Sequence, residues 1–272
     1  MMKIKTRNNI ITFFMFVSMA VILTVGIISG LKIYTKTLYF PTYSPYKLWQ
    51  DFILTKFAYQ SVFIGIFVIL IYVFISFLFI NISFEKTQST EIIYLSLFLI
   101  GFLAEPVRLC FPLMNLWNMW PSFATDVSRF LLFGRLLAPF SLLFTVIYSN
   151  FESRQYVEQN LVILLAFSLS ASLVATFNTN IIHPAGYVQF GLEGAFLLLR
   201  DSVLLFAIIS QIIKSKQNHQ TYHMPLGFFL MILGYIILIN VYNYITLAIG
   251  TLCIFPGTVM YLKELHSQYL WN

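Results

Sequence analysis

The chain has 272 residues and a formal net charge of +6, and 59% of its residues are hydrophobic while only 10% are charged. A soluble domain carries about a quarter charged residues and cannot bury so much apolar surface, so the composition excludes a soluble protein and predicts a polytopic protein of the lipid bilayer. The positive charge does not indicate nucleic-acid binding, because the basic residues are dispersed at the ends of apolar segments and form no basic patch.

Apolar segments of roughly 20 residues, the length that crosses a bilayer, recur along the chain. The last of them, 226–262, is too long for one crossing, since a single helix would reach about 55 Å against a hydrocarbon core of about 30 Å. We predict that it divides between Asn240 and Asn243, which gives eight helices. The other six predicted helices lie near 10–31, 61–80, 91–114, 128–149, 160–182 and 191–213.

The predicted fold class is therefore all-α, a transmembrane helical bundle with one N-terminal helix and a seven-helix module. We divide the chain into 1–60, an N-terminal membrane helix with an extracytoplasmic segment, 61–262, the seven-helix module, and 263–272, a short cytoplasmic tail. Basic residues are more numerous on the side of the N-terminus, so the positive-inside rule predicts that both termini are cytoplasmic. The 29 Phe and 16 Tyr residues are typical of an AT-rich bacterial genome, which indicates the bacterial inner membrane.

Apart from Arg129 at a helix boundary, three arginines lie inside predicted helices, where a charge at the bilayer centre costs on the order of 3 kcal/mol and demands a partner. Counting 1.5 Å per residue places Arg108 roughly 9 Å, Arg135 roughly 10 Å and Arg200 roughly 14 Å from the outer ends of their helices. The three side chains are thus predicted to share one leaflet.

Acidic residues are predicted at a similar depth. Glu105 shares a helix face with Arg108 at a spacing of three residues. Asp201 is turned about 100° from Arg200 and is expected to face a different neighbour. Glu193 lies nearer the outer boundary.

A polar stripe follows the predicted helix 160–182, because four polar residues recur at a spacing of four. They are Ser168, Ser172, Thr176 and Asn180. Such a stripe faces protein or water and not lipid. His183 lies at its outer end, and Asn240 is predicted at a similar level.

Two interpretations of these polar residues stay open. Glu105 could pair with Arg135 or Arg200 in a salt bridge that only fixes helix packing, and Pro106 could be a simple bend. The set as a whole favours a water-accessible cavity that opens to the outside and binds a small ligand with an anionic group. The candidate ligand-binding residues are Glu105, Arg108, Arg135, Thr176, Asn180, His183, Glu193, Arg200, Asp201 and Asn240.

Motifs of enzymes are missing from the sequence. Only one histidine, His183, lies near the polar set, so a zinc site with two or three histidines has no ligands. There is no GxSxG element, and Cys110 and Cys253 lie in apolar segments without metal-type spacing. We therefore expect no catalytic residues, no metal and no cofactor.

Four segments resemble the N-terminal seven-helix sensor region of a family of bacterial histidine kinases. They are "GFLAEPVRL", "FLLFGRLLAPFSLLFTVIYSN", "LVATFNTNIIHPAGY" and "GFFLMILGYIILINVYN". The positions that match the family pattern are Gly134, Pro139, Tyr148, Asn180 and His183. The resemblance covers most of 61–262 and implies a sensor with a cytoplasmic C-terminus. No kinase follows in "KELHSQYLWN", so we expect the output to pass through a membrane or cytoplasmic protein partner.

The function predicted from the sequence is that of a non-enzymatic membrane sensor with an outward-facing polar ligand pocket. A transporter or transport-complex subunit, in which buried acids and arginines handle protons and substrate, is the first alternative. A membrane scaffold subunit is the second alternative.

Overall fold

The computed structural model describes residues 4–38, 57–85, 87, 89–117, 121–148, 157–217 and 221–270. Much of the predicted extracytoplasmic segment and the last two residues of the predicted tail lie outside these ranges. The described helices are α1 (Ile4–Tyr34), α2 (Tyr59–Ser83), α3 (Thr90–Phe102), α4 (Cys110–Met114), α5 (Pro121–Ile147), α6 (Val157–Val174), α7 (Glu193–Gln217), α8 (His223–Ile239) and α9 (Tyr244–Leu270). A 3-10 helix (Glu105–Leu109) joins α3 to α4, and two strands, β1 (Phe177–His183) and β2 (Tyr187–Phe190), lie between α6 and α7.

The chain is an integral, multi-pass membrane protein with a helical-bundle fold, as the composition predicts. In the part of the chain that the structure describes, seven helical spans, counting Thr90–Met114 as one, are long and apolar enough to cross a bilayer, and α8 is a shorter apolar helix. We call the side where α1 begins and α9 ends the terminal side, and the side that carries β1 and β2 the hairpin side. The start of α1 and the last turns of α9 lie close together, since Phe84 contacts both Arg7 and His266.

The predicted division of the last apolar segment is confirmed, since α8 ends at Ile239 and α9 begins at Tyr244. The Asn243 side chain accepts a hydrogen bond of 2.8 Å from the backbone N–H of Thr246. This contact caps the first turn of α9, which otherwise leaves its N–H groups without partners. At its other end α9 continues through 263–270, which we expected to be a tail.

The predicted helix 160–182 is wrong beyond Val174. The chain leaves α6 there and forms an antiparallel hairpin in which His183 pairs with Tyr187. Gly186 turns the hairpin at φ +85°, a left-handed conformation that suits glycine. A Cβ atom at Gly186 would lie 2.8 Å from the carbonyl oxygen of Arg108, so the turn also packs directly on the helical core.

The predicted helix 91–114 is interrupted in the way that its proline suggests. Pro106 lies in the first turn of the 3-10 helix, and α-helical geometry resumes only at Cys110. Proline cannot donate a backbone hydrogen bond inside an α-helix, and a shift to 3-10 geometry is one way to accommodate it. The interruption is therefore a change of helix type and not merely a bend.

Close helix contacts at glycines bring the charged segments together. Gly101 of α3 faces Gly134 of α5, and a Cβ atom at Gly134 would collide with the backbone of Gly101 and the side chain of Ala104. Small residues let membrane helices approach closely. The α3–α5 contact thereby holds the segment after α3 beside Arg135, the next residue of α5.

The N-terminal helix α1 lies at the edge of the bundle, with most of its side chains exposed. It is attached at the terminal side by Arg7, which donates hydrogen bonds to the carbonyl oxygens of Phe84 (2.6 Å) and Thr87 (2.5 Å). These carbonyls follow the end of α2, where helical hydrogen bonding stops. The main apolar core is formed by buried side chains of α2, α3, α5, α7, α8 and α9, and α1 contributes Ile11 to it.

Candidate functional site

A buried cluster of three charges lies on the hairpin side of the bundle. In a 3-10 helix, side chains three residues apart are eclipsed, and this places Arg108 Nη1 2.9 Å from Glu105 Oε2. Arg135 of α5 approaches the same carboxylate with two bonds, Nε to Oε1 at 2.7 Å and Nη2 to Oε2 at 3.2 Å. Of the two partners that the sequence allowed for Glu105, the structure thus selects Arg135.

This cluster carries more positive than negative charge. Two guanidinium groups share one carboxylate, so the three side chains sum to +1, and Glu105 and Arg108 are each only 2% exposed. A buried charge without compensation is costly. The cluster would therefore be stabilised by a further anionic group.

Arg108 also ties two other elements to the cluster. Its Nε donates to the carbonyl oxygen of Ala185 in the hairpin turn at 2.7 Å, and its Nη1 lies 3.3 Å from the carbonyl oxygen of Ile239 at the end of α8. Its Nη2 has no hydrogen-bond partner among the described residues. One side chain thus links the 3-10 helix, the hairpin and α8.

Aromatic rings of the hairpin cover Arg135. The Arg135 guanidinium carbon lies 4.9 Å from the centre of the Tyr187 ring, a cation–π contact. His183 stacks on Tyr187 with ring centres 4.6 Å apart, and Phe190 packs on Tyr187 with ring centres 5.3 Å apart. The hairpin thereby supplies a wall of three rings beside the guanidinium.

His183 is held neutral by its surroundings. Burial, followed by the positive charges of Arg108 and Arg135, lowers its pKa from 6.5 to about 4. Its Nδ1 atom accepts a hydrogen bond of 3.2 Å from the backbone N–H of Ala185. A neutral ring with Nδ1 as acceptor carries its proton on Nε2.

A cavity of about 130 Å³ opens beside these groups. It lies between α5, the hairpin, the start of α7 and the turn between α8 and α9. Its lining residues are Leu132, Arg135, Leu136, His183, Tyr187, Phe190, Glu193, Phe196, Leu197, Arg200, Asn240 and Tyr242. The volume is comparable to the roughly 150 Å³ cavity that accepts benzene, so it suits a ligand of about six non-hydrogen atoms.

Five of the ten residues that the sequence suggested line this cavity: Arg135, His183, Glu193, Arg200 and Asn240. Glu105 lies behind Arg135 and contacts it directly, and Arg108 is connected to Arg135 through Glu105. Their role in ligand binding stays a prediction.

The other suggested residues are placed differently. Thr176 follows α6, and its carbonyl accepts a hydrogen bond of 2.8 Å from the N–H of Gly191. Asn180 lies in β1. Because helix α6 ends at Val174, neither residue continues the stripe of Ser168 and Ser172. Thr176 is not among the described residues that line the cavity, and the side chain of Asn180 lies outside the part that the structure describes.

Asp201 does not turn to a different neighbour as we expected. The Arg200 side chain bends towards it, and Arg200 Nη2 lies 2.8 Å from Asp201 Oδ1. Arg200 is 8% exposed while Asp201 is 55% exposed, so the pair crosses from the cavity to the outer surface of the bundle.

Tyr187 is the main residue of this site that the sequence did not suggest. Its ring contacts Arg135, and its hydroxyl donates a hydrogen bond of 3.0 Å to Glu193 Oε1. The signal was present in "HPAGYVQFG", where a proline and two glycines around alternating apolar residues are typical of a hairpin. We predicted helices near 160–182 and 191–213 and assigned no structure to the residues between them, so Tyr187 was not placed at the site.

A second buried polar cluster lies on the terminal side, around Glu91 at the start of α3. Glu91 is 3% exposed and accepts hydrogen bonds from Tyr269 of α9 (2.6 Å), Ser89 (3.0 Å) and Lys214 of α7 (3.3 Å). The cluster therefore joins three helices near the end of α9. Among the described residues, no three His, Cys, Asp or Glu side chains are placed to hold a metal ion.

No protein-family model matches the chain, and a search of curated proteins gives no match.

Proposed function

We propose that this protein is a non-enzymatic membrane sensor whose cavity on the hairpin side binds a small ligand with an anionic group. The main support for this proposal is the position of Arg135 between Glu105 and the cavity. One edge of its guanidinium is bound to Glu105, while the side chain keeps 12% exposure and lines the cavity. An oxyanion in the cavity would supply the negative charge that the buried cluster lacks.

Arg200 supports the same ligand chemistry from a second helix. Its bonds to Asp201 use Nε and Nη2, so Nη1 takes no part in that pair, and the side chain lines the cavity. A guanidinium on α5 and another on α7 can hold one oxyanion between them, with a geometry that favours planar groups such as carboxylates. The resemblance to the sensor regions of histidine kinases also favours a receptor.

The output would travel through the helices that the two polar clusters connect. Arg108 joins the cluster beside the cavity to the end of α8, and Glu91 joins α3, α7 and α9 on the opposite side. A ligand shifts a helix arrangement only by its differential affinity for the alternatives. A protein partner, in the membrane or docked on the terminal side, would then receive the change.

We place the terminal side in the cytoplasm of a bacterial inner membrane, with the cavity facing outwards. Support comes from the basic residues at the terminal ends of the helices, which follow the positive-inside rule. The described ones are Lys5, Arg7, Lys214, Lys216 and Lys263.

The test is thermal unfolding of the purified protein against a library of small anions and neutral compounds. We expect at least one anion to raise the Tm of the wild type and to have little effect on Arg135→Ala and Arg200→Ala. Arg135→Ala leaves Glu105 paired with Arg108, so its fold has a buried ion pair to retain. The matched control is Arg129→Ala, also on α5, whose exposed pair with Asp126 lies outside the cavity. Equal responses in all four proteins would contradict the proposal.

One observation favours transport as a second candidate function. Buried polar groups without partners among the described residues continue from the cavity towards Glu91. They are the Tyr235 hydroxyl, the Gln211 side-chain amide and the Tyr261 hydroxyl. Such groups mark substrate or proton paths in membrane proteins. Uptake of a labelled anion by proteoliposomes, against liposomes without protein, separates a transporter from a sensor.

A further inference from the structure

The cavity holds a negative group as well as its two guanidinium groups. Glu193, in the first turn of α7, lines the cavity together with Arg135 and Arg200. The Tyr187 hydroxyl binds Glu193 Oε1 at 3.0 Å, so the carboxylate is fixed by one oxygen, and Oε2 has no hydrogen bond to any described residue. A ligand with only negative charge would be attracted by the arginines and repelled by this carboxylate.

Tyr187 sets the geometry between the two kinds of charge. The face of its ring lies against Arg135 and its hydroxyl lies against Glu193. The positive and negative groups are therefore separated by about the length of one tyrosine side chain, and direct ion pairing does not cancel them. A ligand placed alongside this ring would meet opposite charges at its two ends.

Asn240 adds a second acceptor to the cavity. Its Nδ2 donates to the carbonyl oxygen of Ile236 at 3.1 Å, which fixes the amide and leaves Oδ1 as an acceptor. A simple carboxylate has no proton to donate to Asn240 or Glu193. An ammonium group has three.

The size and the remaining lining define the rest of the ligand. A cavity of about 130 Å³ suits about six non-hydrogen atoms, and alanine has six. Much of the remaining wall is apolar and is formed by side chains such as Leu136, Phe190 and Phe196, while His183 and Tyr242 also line the cavity. The apolar part suits a hydrogen atom or a methyl group.

We infer that the ligand is a small zwitterionic amino acid, bound with its carboxylate at Arg135 and Arg200 and its ammonium at Glu193 and Asn240. This inference rests on the proposed function, since it names the ligand of the same cavity. A phosphoethanolamine head group carries the same two charges. The cavity volume favours the free amino acid, because the lipid head is larger and continues into glycerol.

The first experiment compares ligands on the unchanged protein. Isothermal titration in phosphatidylcholine nanodiscs would use L-alanine, glycine, propionate and O-phosphoethanolamine. A hydrogen bond between charged groups is worth enough that removing the ammonium should weaken binding about tenfold or more. We expect L-alanine or glycine to bind at least that much more tightly than propionate.

The second experiment asks whether Glu193 causes the preference. Glu193→Gln keeps the shape and removes the charge, so the ratio of L-alanine to propionate affinity should fall to about twofold or less. Asp126→Asn, which removes an exposed carboxylate on α5 outside the cavity, should keep the wild-type ratio. The comparison of ligands needs no variant, so it stands even where Glu193→Gln folds poorly.

The outcomes separate this inference from the proposed function. Equal affinity for propionate and L-alanine would contradict a zwitterionic ligand and would still agree with a cavity that binds anions. Tighter binding of O-phosphoethanolamine than of L-alanine also overturns the inference, in favour of the lipid head group. Binding of none of the four probes overturns it as well, and the library on the arginine variants then decides whether the cavity binds another anion.

Discussion

Arg135 holds Glu105 by two hydrogen bonds, Nε to Oε1 at 2.7 Å and Nη2 to Oε2 at 3.2 Å, although the two residues lie thirty positions apart on different elements. The 3-10 helix adds Arg108 to the same carboxylate. The arrangement makes Glu105 the one acid of a buried cluster with two arginines, and the cavity lies on the far side of Arg135.

Replacing Glu105 by Gln tests how much this cluster contributes to the free energy of unfolding. The change leaves two buried guanidinium groups without their shared counter-charge, and breaking a buried ion pair in this way costs about 3–5 kcal/mol. We expect a large drop of the free energy of unfolding, measured by denaturation in detergent. Asp126→Asn, in an exposed pair, should change it by less than about 1 kcal/mol. Similar small effects of both substitutions would show that the cluster is not a structural centre.

The contact between α3 and α5 should tolerate no side chain at Gly134. A Cβ atom there meets the backbone of Gly101 and the side chain of Ala104, so Gly134→Ala should lower the free energy of unfolding by about 1–3 kcal/mol through overpacking. The matched control is Gly26→Ala in α1, where a Cβ atom meets no neighbour within 4 Å. Alanine should be neutral or slightly stabilising there because it is a better helix former. Equal melting temperatures of the two variants would contradict the described packing.

The pH dependence of stability should carry a contribution from His183. Its pKa in the folded protein is about 4, against about 6.5 in an unfolded chain. The unfolded state therefore binds more protons between these values, so the stabilisation is complete above about pH 6.5 and is lost as the pH falls towards 4.

The measurement is Tm against pH for the wild type and His183→Gln, which cannot titrate at this position. The wild-type Tm should fall more steeply than that of the variant between about pH 6.5 and pH 4.5. Parallel curves would mean that His183 is not held neutral beside Arg108 and Arg135.

The Glu91 cluster should fix the end of α9. Tyr269→Phe removes a hydrogen bond of 2.6 Å to a buried carboxylate, and such a bond contributes about 1.5–3 kcal/mol. We expect faster hydrogen exchange in the last turns of α9 and a lower Tm. Tyr222→Phe removes the hydroxyl of a side chain that is 88% exposed and should leave both unchanged. If the exchange rates of the two variants agree, the cluster does not hold the helix.

The membrane class and the helical bundle could be predicted from the sequence because apolar length alone decides them. The break before Tyr244 was also predictable, since 37 apolar residues exceed one crossing and Asn243 is a good helix cap. The depths of Arg108, Arg135 and Arg200 were predicted by counting residues from the outer ends of the predicted helices. That estimate was poor for Arg135, whose helix begins at Pro121 and not near 128.

The hairpin could not be read from the spacing of polar residues. Thr176 and Asn180 continue the spacing of Ser168 and Ser172 by coincidence, and a strand of four to seven residues carries too little pattern to compete with that signal. Tertiary contacts determine the conformation of this segment, because the turn at Gly186 packs on Arg108. The pairing of Arg200 with Asp201 was missed for a related reason, since a long arginine side chain can bend to a sequence neighbour on another helix face.

Ligand binding in the cavity is tested most directly by the equilibrium affinity of the best ligand for the wild type, Arg200→Gln and Arg129→Gln. Arg200 lines the cavity and Arg129 lies on the same side of the bundle outside it. We expect saturable binding to the wild type, affinity weakened about tenfold or more in Arg200→Gln, and wild-type affinity in Arg129→Gln. Equal affinities in all three proteins, or no saturable binding to the wild type by any small anion or amino acid, would contradict this expectation.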